Sequence, residues 1–178
     1  MNYIKISKYD TANGIGIGVV LWVSGCNCHC HGCHNPSTWD FNAGQPFTKD
    51  TMQEILSELA KPYISHFTLS GGHPLEYQNL ETVYKIVKTV KEKFPSKTIW
   101  LYTGYTWEEI LDKDKEYEDY EVNRVSTLDV IKYCDVLVDG RYEDDKRDIS
   151  LAWQGSSNQR VISVQESLNQ GKVVLYCE

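Results

Sequence analysis

Cys26, Cys28, Cys30 and Cys33 lie in the segment SGCNCHCHGCHNPSTWD, Ser24 to Asp40, interleaved with His29, His31 and His34. Thiolates and imidazoles crowded in this way are soft metal ligands, and the chemistry depends on which of them converge. Cys26, Cys30 and Cys33 have C-x3-C-x2-C spacing. Thiolates from so short a loop can hold three irons of a four-iron cluster, leaving the fourth iron open to a substrate. A structural zinc site is the alternative, with Cys26 or Cys28 joining Cys30, Cys33 and His34. Against it, such sites are usually closed four-ligand sets, and no second C-x2-C pair is present. His29, His31 and His34 read as loop residues rather than metal ligands, and Cys28 as a bystander. Cys134 and Cys177 stand alone.

Further polar motifs are SGGHP, YTGY, VDGRY and GSSNQR. Gly71 and Gly72 suit a backbone that must approach a ligand closely, or an ordinary strand-to-helix turn. Thr103 offers a hydroxyl for a ligand or for capping a turn. Asp139 can orient a cofactor or partner, or start a turn with Gly140. Arg160 can pair with a cofactor carboxylate, a surface anion or a neighbouring acid. Trp39 and Trp153 read as packing residues.

The elements that must position these groups alternate between strand and helix. VVLWVSG, Val19 to Gly25, is a continuous apolar run, as in a strand buried on both faces. TKDTMQEILSELAK predicts a helix through Met52, Ile55, Leu56 and Leu59, capped by Thr48 or Asp50. HFTLSGG is a strand. LETVYKIVKTVKEKF is an amphipathic helix with Val83, Ile86, Val87 and Val90 on one face, ended by Pro95. TIWLYTG and CDVLVDG are strands, separated by short helices at TWEEIL and STLDVIKY. The charge-dense stretch near 112–124 reads as an exposed insertion, and RYEDDKRD as a second charged loop. QRVISV and KVVLYC suggest two more strands, the last on an edge. This order implies an α/β fold with a mostly parallel sheet and right-handed crossovers. Four of the motifs then follow strand ends, where chemistry gathers in such folds, and this points to an enzyme.

The 178 residues fit a single domain spanning 1–178. A formal net charge of -7 argues against a nucleic-acid partner. MNYIKISKYD lacks an apolar targeting segment, and no stretch has the length of a membrane span, so the expected location is cytoplasmic, without membrane attachment. In that reducing compartment cysteines serve as ligands or core residues rather than disulfides.

C-x3-C-x2-C after one strand, with Gly-Gly-x-Pro after the next, resembles the radical S-adenosylmethionine enzymes. More narrowly, GCNCHCHGCHNPSTWDF, TLSGGHPL, IWLYTGY, DVLVDGRY and GSSNQR resemble the activating proteins of anaerobic (class III) ribonucleoside-triphosphate reductases. Gly32 fits that subgroup, whereas the wider superfamily commonly has an aromatic residue before the third cysteine. His73 departs from the family, which usually carries an acidic residue there. The resemblance implies a small partial (β/α) barrel and a 4Fe-4S cluster on Cys26, Cys30 and Cys33. It further implies S-adenosyl-L-methionine held by Gly32, Cys33, His34, Gly71, Gly72, His73, Thr103, Asp139 and Arg160. The implied activity is reductive cleavage of that cofactor to a 5′-deoxyadenosyl radical, which generates a glycyl radical on the reductase's large subunit. Reduced flavodoxin or a similar donor is the implied electron source. Other readings are a radical enzyme acting on another glycyl-radical enzyme or a small molecule, and a zinc-stabilised interaction module.

Overall fold

The structure, a computed structural model, describes residues 1–118 and 124–176, with the side chains of 113–118 left out. The strands are β1 (Asn2–Asp10), β2 (Ile17–Val23), β3 (Gln45–Pro46), β4 (Ile64–Gly71), β5 (Thr98–Tyr102), β6 (Val136–Asp139) and β7 (Arg160–Ser163). The helices are α1 (Lys49–Leu59), α2 (Tyr77–Lys93), α3 (Trp107–Glu118), α4 (Thr127–Ile131) and α5 (Val164–Gln170). All seven strands form one sheet in the order β3-β1-β2-β4-β5-β6-β7. The central strands β2, β4, β5 and β6 run parallel, joined by crossovers through α1, α2 and the pair α3 and α4. β1 and β3 add antiparallel on one side and β7 on the other.

Period-two alternation divides each central strand between two environments. Leu21, Val23, Leu69, Leu101 and Leu137 join one buried cluster with Ile55, Ile86 and Ile110 from the helices. The intervening residues Trp22, Ser70 and Tyr102 face away from the helices and line a cavity. Farther along that second face Trp100, Val136, Val138 and Val161 form a smaller cluster, covered by Trp153 and Tyr176. The helices thus cover one face of the sheet and leave the other to the site.

Local signals explain the helices. Thr48 caps α1 by accepting from the Thr51 amide at 3.3 Å, and the Thr51 hydroxyl accepts from the Thr48 amide at 3.2 Å, a reciprocal capping pair. Asp50 lies inside the first turn, where its charge complements the helix dipole. α2 buries Leu80, Val83, Ile86, Val87 and Val90, the stripe expected from its apolar period.

Two expectations need revision, and one strand, β1, has no counterpart in the sequence reading. β1 is a full strand pairing with β2, but register shifts after Tyr3 and Ser7 break its alternation, so no clean period shows. Within the stretch 112–124, α3 continues through Glu118; residues 119–123 lie outside the described residues. The C-terminal segment is not a full strand. Leu175 makes an isolated bridge to Ile162, while the Ser163 and Tyr176 amides donate to the carbonyls of Val174 and Val161.

Candidate functional site

β2, β4, β5 and β6 are parallel neighbours, so their carboxyl ends share one edge of the sheet. A cavity of about 480 Å³ opens there, and each of the four strand ends contributes to its wall. After β2 come Cys26, Cys28, Cys30, Cys33 and His34; after β4, Gly72 and His73; after β5, Thr103 and Gly104; after β6, Gly140, Arg141 and Tyr142. The loop containing Gly155 and Gln159 closes a further side. Gln159 ties that loop down: its Oε1 accepts from the Gly155 amide at 2.9 Å and its Nε2 donates to the Gly140 carbonyl at 2.9 Å.

Backbone bonds set the cysteine loop over the sheet edge. The Gly25 and Cys26 amides donate to the carbonyls of Thr38 and Trp39 at 2.8 and 3.0 Å. The Gly72 and His73 amides donate to the carbonyls of Val23 and Gly25, both at 2.8 Å. A Cβ at Gly72 would lie 2.7 Å from the Gly25 carbonyl oxygen and 3.0 Å from that of Thr38, so only glycine permits this approach. Gly32 serves a different need. Its φ of +71° turns the chain between Cys30 and Cys33, and a Cβ would strike Asp144. Gly32 therefore shapes the loop and is not in the cavity wall.

The thiols are free and partly exposed to the cavity. A hydrogen bond from Cys28 favours the thiolate of Cys26, outweighing its burial and lowering its pKa to about 6. The same bond pushes the Cys28 thiol up, and burial raises Cys30. The Asn35 amide points at Cys33 Sγ, 3.4 Å away, as amides do around cluster sulfurs. This donor set fits a 4Fe-4S cluster: Cys26, Cys30 and Cys33 share one wall with free thiols, and the Asn35 amide points at one of those sulfurs.

His73 is 1% exposed. Its Nε2 lies 2.7 Å from Thr103 Oγ1 and its Nδ1 3.2 Å from Glu76 Oε1. Thr103 Oγ1 also accepts from the Tyr105 amide at 3.1 Å. Sequence reasoning passed over Glu76, although it stands one helical turn after His73. Burial works against its charge, but bonds to His73 and Asn27 prevail and hold its carboxyl below the usual range. Its two oxygens accept from the Asn27 amide and side chain at 2.9 and 3.0 Å, tying the cysteine loop to the start of α2.

Asp139 and Arg160 are placed together, behind the wall rather than in it. Asp139 is 1% exposed and accepts from the Trp107 amide at 2.8 Å and from Arg160 Nε at 3.1 Å. Arg160 also binds both carboxylate oxygens of Glu108, at 3.2 and 2.8 Å. The pair pins the start of α3 to the β6–β7 edge, and neither residue is among those that line the cavity. The cation that does line the cavity, among the described residues, is Arg141, paired with Glu109 at 3.0 Å. It stands two residues after Asp139 in the VDGRY motif. Trp39 also lines the cavity, and its buried indole N–H has no partner among the described residues.

Residues 12–162 match the family model described as a 4Fe-4S single cluster domain. The anaerobic ribonucleoside-triphosphate reductase-activating protein of Enterobacteria phage T4 is 44% identical over 163 residues, covering 92% of this chain and 94% of the relative. Its namesake in Escherichia coli K12 is 39% identical over 163 residues, covering 90% and 97%. The chain belongs to this family of activating proteins. The match to the cluster-domain model spans the cysteine loop and all four strand ends. Among the described residues no helix is long and apolar enough to cross a membrane.

Proposed function

We propose that this chain activates an anaerobic ribonucleoside-triphosphate reductase by radical S-adenosylmethionine chemistry. The observation that carries the reading is the convergence of Cys26, Cys30 and Cys33 with Gly72 and Thr103 in one cavity at the carboxyl ends of four parallel strands. Cys26, Cys30 and Cys33 would hold the cluster. Given one electron, the cluster would supply the chemistry of reductive S-adenosylmethionine cleavage, to methionine and a 5′-deoxyadenosyl radical able to take a hydrogen atom from a glycine of the reductase.

The protein's own groups bind, orient and exclude water. Close approach at Gly72 leaves backbone exposed for the methionine end of the cofactor. Thr103 supplies a neutral polar contact, and Arg141 faces the cavity as the group suited to a carboxylate. Trp22 and Tyr102 give an aromatic wall against the sheet that keeps water from that side of the cavity. Helices on a single face of the sheet suit a small partial (β/α) barrel with the substrate channel on the other. The same reading takes a reduced flavodoxin-like donor and a cytoplasmic setting.

Anaerobic iron and sulfide reconstitution tests the reading. Wild-type and Cys28→Ala proteins are expected to turn brown and to cleave S-adenosylmethionine on reduction, whereas Cys26→Ala, Cys30→Ala and Cys33→Ala lose iron. With the reductase present, electron paramagnetic resonance should show a glycyl-radical doublet. Cofactor cleavage without that doublet would reject the reductase as substrate; retention of the cluster in Cys30→Ala would reject the ligand set.

A further inference from the structure

Cys28 and Glu76 are left without a chemical task by the cluster, yet they meet Cys26 and His73 at one point. Cys26 Sγ, Cys28 Sγ and ligand atoms of His73 and Glu76 all lie within 4.8 Å of one another. We propose that the cluster-free protein binds one zinc-type divalent cation at Cys26, Cys28, His73 Nδ1 and Glu76 Oε1. This site shares only Cys26 with the C-x3-C-x2-C set, so a chain holding the cation cannot also hold the full cluster.

Spacing supports the assignment. Zinc bonds of about 2.0–2.1 Å to nitrogen and oxygen and about 2.3 Å to sulfur set tetrahedral edges of roughly 3.3 Å for N···O and 3.6 Å for S···N. The corresponding separations are 3.2 Å for His73 Nδ1 to Glu76 Oε1 and 3.9 Å for Cys28 Sγ to His73 Nδ1. The remaining separations, those to Cys26 among them, lie within 4.8 Å, so the two partly exposed thiols close on the fixed His73–Glu76 pair to complete the geometry. Two thiolates, an imidazole and a carboxylate form a zinc-type set rather than a magnesium or calcium one.

The supporting groups are in place before any ion arrives. In the ligating tautomer His73 donates Nε2–H to Thr103 Oγ1 at 2.7 Å, which fixes the ring and leaves the Nδ1 lone pair aimed at the site. Asn27 holds both oxygens of Glu76. The buried pair, His73 and Glu76, forms the floor, while the partly exposed Cys26 and Cys28 face the cavity through which an ion enters. On binding, each ligating thiol releases its proton to solvent, and the ion displaces the Nδ1 proton by which His73 bonds Glu76, the ring coordinating as the neutral Nε2–H tautomer. Order of loading then decides the outcome: a cation seated first withholds Cys26 from iron.

Cobalt(II), which reports tetrahedral thiolate coordination by its visible spectrum, tests the site on full-length, chelator-treated protein under anaerobic conditions. One ion per chain is expected, displaced by zinc. Cys28→Ser and His73→Ala should abolish the spectrum, whereas Cys30→Ser and Cys33→Ser should retain it. Thr103→Val should weaken binding about 10–100-fold by freeing the imidazole. Circular dichroism checks folding, and Cys28→Ser, altering a partly exposed residue, stands as a test should His73→Ala fail to fold. Zinc added before iron should block cluster assembly in the wild type but not in Cys28→Ser. No cobalt binding, retention of the spectrum in Cys28→Ser, or its loss in Cys30→Ser or Cys33→Ser would each overturn the proposal. The site needs no S-adenosylmethionine chemistry. Failure of cofactor cleavage therefore leaves it standing, and failure of cobalt binding leaves the radical reading standing.

Discussion

Removing Arg160 should destabilise the fold and leave the cavity chemistry intact. Asp139 is 1% exposed, and its carboxylate takes hydrogen bonds from Arg160 and from the Trp107 amide at the start of α3. Arg160→Met leaves that buried charge with the amide alone, and breaking a buried pair in this way costs about 3–5 kcal/mol. The Arg160 side chain is 33% exposed, so water screens part of the loss and the lower end, about 3 kcal/mol, is expected. Asp139→Ala leaves the Trp107 N–H unsatisfied, at about 1–3 kcal/mol, while Arg160 keeps Glu108. Asp139→Asn retains an acceptor for that amide and should be milder, at about 1–2 kcal/mol. Glu108 is 59% exposed in its pair with Arg160, so Glu108→Ala should cost roughly 0–1 kcal/mol. At about 2–4 °C per kcal/mol for a chain of this size, Arg160→Met lowers the melting temperature by about 6–12 °C. Thermal unfolding ranks the four variants, and calorimetric binding of S-adenosylmethionine to reconstituted protein runs alongside. The reasoning fails if Arg160→Met melts like the wild type but binds S-adenosylmethionine at least tenfold more weakly, for then the guanidinium serves the ligand and not Asp139.

Gly72→Ala places a methyl against the carbonyl oxygens of Gly25 and Thr38, neither of which can move without the cysteine loop. It should cost about 1–3 kcal/mol and lower iron retention after reconstitution; full iron content would show that the loop relaxes freely. His66 is buried, and burial pushes its imidazole below the ordinary 6.5. The unfolded chain then binds the proton more readily, so stability is full above about pH 6.5 and falls as pH drops toward the folded value. His66→Asn keeps a donor for the Ile15 carbonyl but does not titrate. Urea unfolding at pH 7.5 and 5.5 should show a smaller loss for that variant, and equal losses would refute the assignment. Ile110→Ala, in the wholly buried α3 contact with the sheet, should cost about 2–5 kcal/mol by chemical denaturation. A loss below 1 kcal/mol would mean that α3 is not held through this residue.

The parallel core was readable because its signals are local. VVLWV and VLV are uninterrupted apolar runs, and each is followed by glycine and polar residues, so strand, turn and candidate site lie side by side in the chain. The helices declare themselves through the stripe from Leu80 to Val90 and the reciprocal pair Thr48 and Thr51. β1 carries no clean period because two register shifts interrupt it, and the C-terminal segment reads as a strand from its β-branched residues although it forms a single bridge.

The types and spacing of Cys26, Cys30 and Cys33 are a property of one loop, and so a thiolate metal site, iron–sulfur or zinc, could be expected before any fold. Partner choice could not. Asp139 and Arg160 look like ligands in isolation; whether a carboxylate meets a guanidinium or a substrate depends on β7 returning antiparallel beside β6, a pairing with no local signature. Glu76 looks like an ordinary helix N-terminus until the loop from β2 folds over it and brings Asn27 and Cys28 to the same place. Short-range order follows from the residues themselves, while the encounter of His73, Glu76 and two thiols exists only once the sheet has set four strand ends on one edge.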